Sequence, residues 1–133
     1  MNDIDFDTDP TPTGDLALQV VALPSDTNAF GDIYGGWLVS QMDVASSITA
    51  MQIAKGRVAT VAINGMALLT PVHVGAVVSC YTDVIEVGRS SIRINVEVWI
   101  KHKVSFNPIK VTEGGFVVVS LDSKGRPQSI PGQ

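Results

Sequence analysis

Alternation of apolar and polar positions is the clearest regular signal in this chain, and it is strongest at residues 90–101. There Ile92, Ile94, Val96, Val98 and Ile100 alternate with Ser91, Arg93, Asn95, Glu97 and Lys101. Successive side chains on a strand point to opposite faces. The pattern therefore predicts one strand with a buried face and a mostly polar one. Similar runs at 58–69, 76–87 and 109–121 predict three more strands, and LALQVVA at 16–22 predicts a first one, ended by the turn at Pro24. Gly88-Arg89, between two long runs, reads as a tight hairpin.

A different pattern lies between the first two strands. LPSDTNAFGDIYGG, residues 23–36, is rich in turn formers and reads as a loop. A helix is expected from Trp37 to Ala54, with Gly56 as its C-terminal cap. Val39, Met42, Ala45, Ala50 and Ile53 spread apolar surface around that helix, so more than one side should be covered. A sheet covers one side; a second subunit would cover another, which predicts a homodimer. The strand connections are too short for parallel crossovers. The expected architecture is α+β: an antiparallel sheet of about five strands packed on one long helix.

Composition narrows the class. With 133 residues the chain is long enough for one domain with a full core, and it has no apolar run long enough to span a bilayer. No basic-then-apolar leader opens it, so export is not expected. The single cysteine, Cys80, has no internal disulfide partner. That fits a reducing, cytoplasmic compartment, and its setting in VVSCYTDV reads as that of a buried small hydrophobe. The net charge of −4 is concentrated: Asp3, Asp5, Asp7, Asp9 and Asp15 stand in the first fifteen positions with no base among them. Residues 1–14 therefore read as an acidic, disordered tail ahead of a single domain at 15–133. The rest is near neutral, which removes long-range attraction for nucleic acid.

The candidate chemistry sits in the loop and helix. From Ile33 to Ala54 the only charged residue is Asp43. A carboxylate in so apolar a segment must be hydrogen-bonded, paired, protonated or at a solvent-filled cleft. Gly35 and Gly36 stand where the helix begins, and unpaired N–H groups there suit a carbonyl oxygen becoming an oxyanion. Asn28, in the polar loop upstream, has an amide that could hold water or a carbonyl oxygen. Each feature alone has an ordinary structural reading, since glycine pairs make turns and loop asparagines cap them. Trp37 and Asp43 are six residues apart, about 9 Å along a helix axis. One helix therefore presents both halves of a site poorly, and two helices across a dimer would do better. Neither His73 nor His102 has a partner at metal-ligand or dyad spacing, so both read as surface residues and no metal is expected.

LPSDTNAFGDIYGGWLVSQMD, together with GRVATVAINGMALLTPVHVG, VGRSSIRINVEVW and the later TE, resembles the hotdog-superfamily acyl-CoA thioesterases, nearest to the small bacterial YciA type. The spacing N-x-x-G-x-x-x-G-G-x(6)-D carries much of the match. The resemblance implies a hotdog fold, with the sheet wrapped around a central helix and continuous across a dimer, often assembled as a trimer of dimers. It implies hydrolysis of acyl-CoA to free acid and CoA with no cofactor. Asp43 would activate water or attack the thioester, Asn28 would position water or substrate, and Gly36 with Gly35 would form the oxyanion site.

Two departures stand out. Tyr34 replaces a histidine common in relatives, and Gly114-Gly115 stand where relatives carry bulkier residues, which would open the acyl pocket or mark a bulge. For the CoA phosphates the candidates are Arg57 and Arg89 with Ser90 and Ser91; Lys101 and Lys103 are weaker. Two other readings remain open: a hotdog hydratase or dehydratase, which usually needs a histidine absent from this loop and helix, and a non-catalytic acyl-CoA binding protein.

Overall fold

The computed structural model describes residues 11–68, 70–101 and 107–132. The first ten residues of the acidic tail, His102 and Lys103 lie outside them. Strand β1 (Asp15–Val21) is followed by a short 3-10 turn (Pro24–Asp26), helix α1 (Gly35–Ala54), and strands β2 (Val58–Asn64), β3 (Val77–Val87), β4 (Ser91–Lys101) and β5 (Pro108–Ser120). The sheet order is β1-β3-β4-β5-β2, with every neighbouring pair antiparallel. This is the expected α+β architecture. Helix α1 packs against all five strands.

Each strand pairing carries one irregularity. The register skips Ala17 in β1, Val61 in β2, Ile85 in β3 and Val111 in β5. An extra residue on one strand bends it and increases its twist. One such kink in each pairing curls a five-stranded sheet around a single helix.

The core follows the alternation. Ile92, Ile94, Val96, Val98 and Ile100 are all buried, facing Leu38, Met42, Ala45 and Ala50 of α1. The other face of β4 departs from the expectation, because Glu97 and Trp99 are buried as well. The Trp99 indole donates to Glu97 Oε1 at 2.9 Å, the Thr13 amide donates to the same oxygen at 3.4 Å, and Lys110 Nζ lies 4.0 Å away. A buried carboxylate is tolerable with such partners. Alternation shows which way a residue points, not whether a distant segment covers it.

Three boundaries also differ. The helix starts at Gly35, two residues early, because extended Tyr34 (φ −59°, ψ 135°) serves as N-cap and the glycine pair turns helical. At the other end Lys55, not Gly56, takes the left-handed cap conformation (φ 56°), its N–H donating to the Met51 carbonyl at 2.8 Å. Strand β2 ends at Asn64, where Gly65 (φ 66°) turns the chain inward. Gly114 and Gly115 mark no bulge; they pair in register with Val96 and Asn95, and the bulge of β5 lies at Val111.

Part of the helix remains bare. Ser40, Val44, Ser47 and Met51 fall on one stripe, and Val44 and Met51 are each 45% exposed. Edge strand β2 exposes Val61 and Ile63. Cys80 is buried in β3, and burial pushes its thiol pKa up to about 12. Among the described residues no helix is long and apolar enough to cross a membrane.

Candidate active site

The loop before α1 is built around Asn28. Its side-chain oxygen accepts the Phe30 amide at 2.9 Å and the Asp32 amide at 3.1 Å, while its own N–H donates to the Asp32 carbonyl at 2.7 Å. The side-chain NH2 is thus the end left to face a ligand. The loop is fastened at both sides: Tyr34 N–H donates to the Asp26 carbonyl at 3.1 Å, and Ile33 N–H to the Val72 carbonyl at 3.2 Å. Tyr34 is itself exposed, and its carbonyl takes the Trp37 and Leu38 amides.

The two glycines behave differently. A Cβ on Gly35 would stand 2.7 Å from Leu68 Cδ1, so that position is glycine for packing. A Cβ on Gly36 would meet nothing within 4 Å. No side chain caps this helix end, and the Gly35 and Gly36 amides have no acceptor among the described residues. They are orphan donors at the positive end of a 20-residue helix.

Asp43 lies half-buried on α1. The Thr60 hydroxyl donates to its Oδ1 at 2.5 Å, reaching across from β2. Thr60 immediately precedes the skipped residue Val61, and bulges commonly re-aim a neighbouring side chain. Sequence reading missed Thr60. The available signal was a hydroxyl inside the otherwise apolar VATVAI. From Gly36 to Asp43 is seven residues, about 10 Å of helix axis. Within one chain, the donors and the acid stand apart along the helix.

The basic candidates gather at one end of the sheet. Ser91 pairs with Val119 and Val58 with Ser120, while the Arg57 carbonyl accepts Leu121 N–H at 2.9 Å and the Ser90 carbonyl accepts Ser120 N–H at 2.8 Å. Arg89 Nε donates to Ser129 Oγ at 3.3 Å. The turn after β5 adds two bases the sequence reading had passed over, Lys124 and Arg126. Asp122 organises this turn by accepting both their amides at 2.9 Å. The Arg126 amide bond foremost, with smaller help from Lys124 and Arg57, holds the Asp122 carboxyl below its usual range. The Arg57 guanidinium lies 3.7 Å from where a Gly125 Cβ would be.

A cavity of about 280 Å³ adjoins the helix N-terminus. Ile33, Gly35 and Leu38 line it together with Leu68, Pro71 and Val72, with Thr70 the single polar residue. Among the described residues no group of three His, Cys, Asp or Glu side chains is placed to hold a metal ion. His73 lies in a turn, where its carbonyl accepts the Ala76 amide at 3.1 Å.

Comparison with known proteins identifies the family and the fold. The thioesterase superfamily model matches residues 30–105. The acyl-CoA thioester hydrolase YciA of Salmonella typhimurium is 51% identical over 129 residues, spanning 94% of this chain and 96% of that protein. Among solved structures, the hexameric thioesterase y2039 from Yersinia pestis superposes with a TM-score of 0.88 at 51% identity, over 92% of this chain and 100% of that one. An aspartate-to-alanine mutant of a hexameric broad-specificity acyl-coenzyme A thioesterase gives 0.88 at 48% identity, over 91% and 89%. The curled antiparallel sheet around one helix is thus the hotdog fold, and the chain belongs to the thioesterase superfamily, within it to the YciA-type acyl-CoA thioester hydrolases.

Proposed function

We propose that this protein hydrolyses acyl-CoA to a free carboxylic acid and CoA, with Asp43 as the reacting acid and the Gly36 amide, aided by Gly35, as the oxyanion donor. The observation that carries the reading is the pairing of a pinned carboxylate with vacant amides. Thr60 holds one oxygen of Asp43, which leaves Oδ2 for the reaction, and the first amides of α1 have no acceptor. As general base, Asp43 takes a proton from water while the water oxygen bonds the thioester carbon. As nucleophile, it bonds that carbon itself and water later cleaves the anhydride. In both routes the carbonyl oxygen gains negative charge that the helix N-terminus stabilises. Collapse then breaks the C–S bond and CoA leaves as a thiolate, which takes up a proton. The Asn28 NH2 orients water or the carbonyl. The reaction needs no group beyond the protein and water.

The separation of Gly36 from Asp43 supports a site shared between two chains. The bare stripe of α1 and the exposed apolar edge of β2 are the surfaces such a dimer would bury. Pairing through β2 would bring the partner close to Thr60 and Asp43, and would make the sheet continuous. Assembly as a hexamer follows the two hexameric structures. Arg57 and Arg89, with Ser90, Ser91 and the adjoining Lys124 and Arg126, would take the CoA phosphates. The lone buried cysteine fits a cytoplasmic setting.

Thiol release from a panel of acyl-CoAs tests the reaction. Wild type is active, and Asp43→Ala loses roughly two to four orders of magnitude in kcat; retained activity in that variant would sink the assignment. Mixing Asp43→Ala with Gly36→Pro tests the shared site. A two-chain site restores about a quarter of wild-type activity in a 1:1 mixture, because half the dimers are mixed and each has one intact site. A site within one chain restores none.

A further inference from the structure

Once a thioester carbonyl sits at the helix N-terminus, its acyl chain needs somewhere to go. The segment after β2 is fixed there by three contacts. The Thr112 hydroxyl donates to the Ala67 carbonyl at 2.5 Å. Gly114 leaves space for the Met66 methyl, which lies 3.0 Å from where a Cβ would stand. Gly35 does the same for Leu68. The glycine at 114 therefore does not open a pocket by vacancy; its room is taken by Met66, and this seats the segment that carries Leu68. Leu68 rests directly on the first turn of α1 and is still 50% exposed. Leu38 and Val72, which also line the adjoining cavity, are buried.

We propose that this cavity receives the acyl chain and that Leu68, at its solvent side, sets the chain length accepted. The inference rests on acyl-CoA hydrolysis with Gly36 as oxyanion donor. Gly35 belongs both to that donor turn and to the cavity wall, so a carbonyl held by the turn has apolar space beside it. An apolar cavity of about 150 Å³ accommodates benzene. The 280 Å³ here suits a straight chain of roughly six to ten carbons. Each methylene taken up raises kcat/KM about fourfold, until the chain meets Leu68.

The test is kcat/KM across straight-chain substrates from acetyl-CoA to palmitoyl-CoA, for wild type, Leu68→Ala and Leu68→Trp. The profile compares substrates within one protein sample, so a partly unfolded variant still reports it. The optimum moves about two or three carbons longer in Leu68→Ala, the volume of the side chain removed. In Leu68→Trp it moves shorter. If both variants keep the wild-type profile while wild type hydrolyses acyl-CoA, the acyl chain lies elsewhere and this proposal fails alone. If wild type releases no thiol from any substrate, the hydrolase reading and this proposal fail together.

Discussion

The two glycine pairs, Gly35-Gly36 and Gly114-Gly115, look alike in sequence and serve different ends. Each has one member whose missing Cβ makes room for a neighbour: Leu68 at Gly35, Met66 at Gly114. The second members separate them. Gly115 pairs with Asn64 on one side and Asn95 on the other, so it lies within a three-strand ladder. Gly36 lies on an open helix end, with an amide that meets no acceptor among the described residues. One pair completes the scaffold; the other leaves a polar group unsatisfied. Unsatisfied groups held by a rigid frame are where chemistry is to be sought.

The sharpest way to break this contrast is Gly36→Pro. Proline is tolerated in the first helical turn and removes only an N–H that has no helical partner. Stability should hold within about 1 kcal/mol, while kcat falls roughly 10²–10³-fold, as for loss of one oxyanion donor. Thermal melting beside thiol release separates the two. Next comes Thr60→Val, which keeps the branched shape and deletes the bond to Asp43. It should lower kcat about tenfold through a misdirected carboxylate, with KM little changed.

On the scaffold side the signs reverse. Gly114→Ala pushes on the Met66 methyl, so it should cost about 1 kcal/mol of stability and leave turnover of acetyl-CoA intact. A variant that kept its stability and lost activity would erase the distinction between the pairs. The smallest effect is expected at Glu113, whose carboxyl is held below its usual range by the Lys110 bond at 2.7 Å, then by Asn95. A lowered folded-state pKa stabilises the fold above the unfolded pKa, and that contribution is lost as pH falls through the folded value. Glu113→Gln should therefore cost less than about 1 kcal/mol at neutral pH, as is usual for an exposed pair. The difference from wild type should vanish in acid, as denaturant midpoints at the two pH values would show.

Much of the fold was legible because its signals are local. The alternation at 91–101 predicted the buried face of β4, and the run of apolar residues after Gly36 predicted α1. The spacing of Asn28, Gly35, Gly36 and Asp43 put these four residues on one loop and one helix, and the structure has the residues there. What escaped depends on register. Thr60 meets Asp43 only because β2 packs beside α1 with Val61 bulged out, and no window of sequence states that. Glu97 looked solvent-facing by alternation, yet Trp99, Thr13 and Lys110 close over it from two strands and the N-terminal segment. Lys124 and Arg126 sit in a turn whose relation to Arg57 exists only after β5 pairs with β2. A bulge, one of two readings of Gly114-Gly115, fell instead at Val111, since glycine permits a kink without requiring one.

The burial of Cys80 has a practical consequence. A thiol with a pKa pushed to about 12 and almost no solvent contact is chemically silent near neutral pH. An assay that counts liberated thiols therefore sees the CoA product without a protein background while the fold is intact. Opening of the sheet would add one reactive equivalent per chain. The same reagent that follows turnover thus doubles as a built-in gauge of unfolding, and can tell a catalytically dead variant from a collapsed one in a single cuvette.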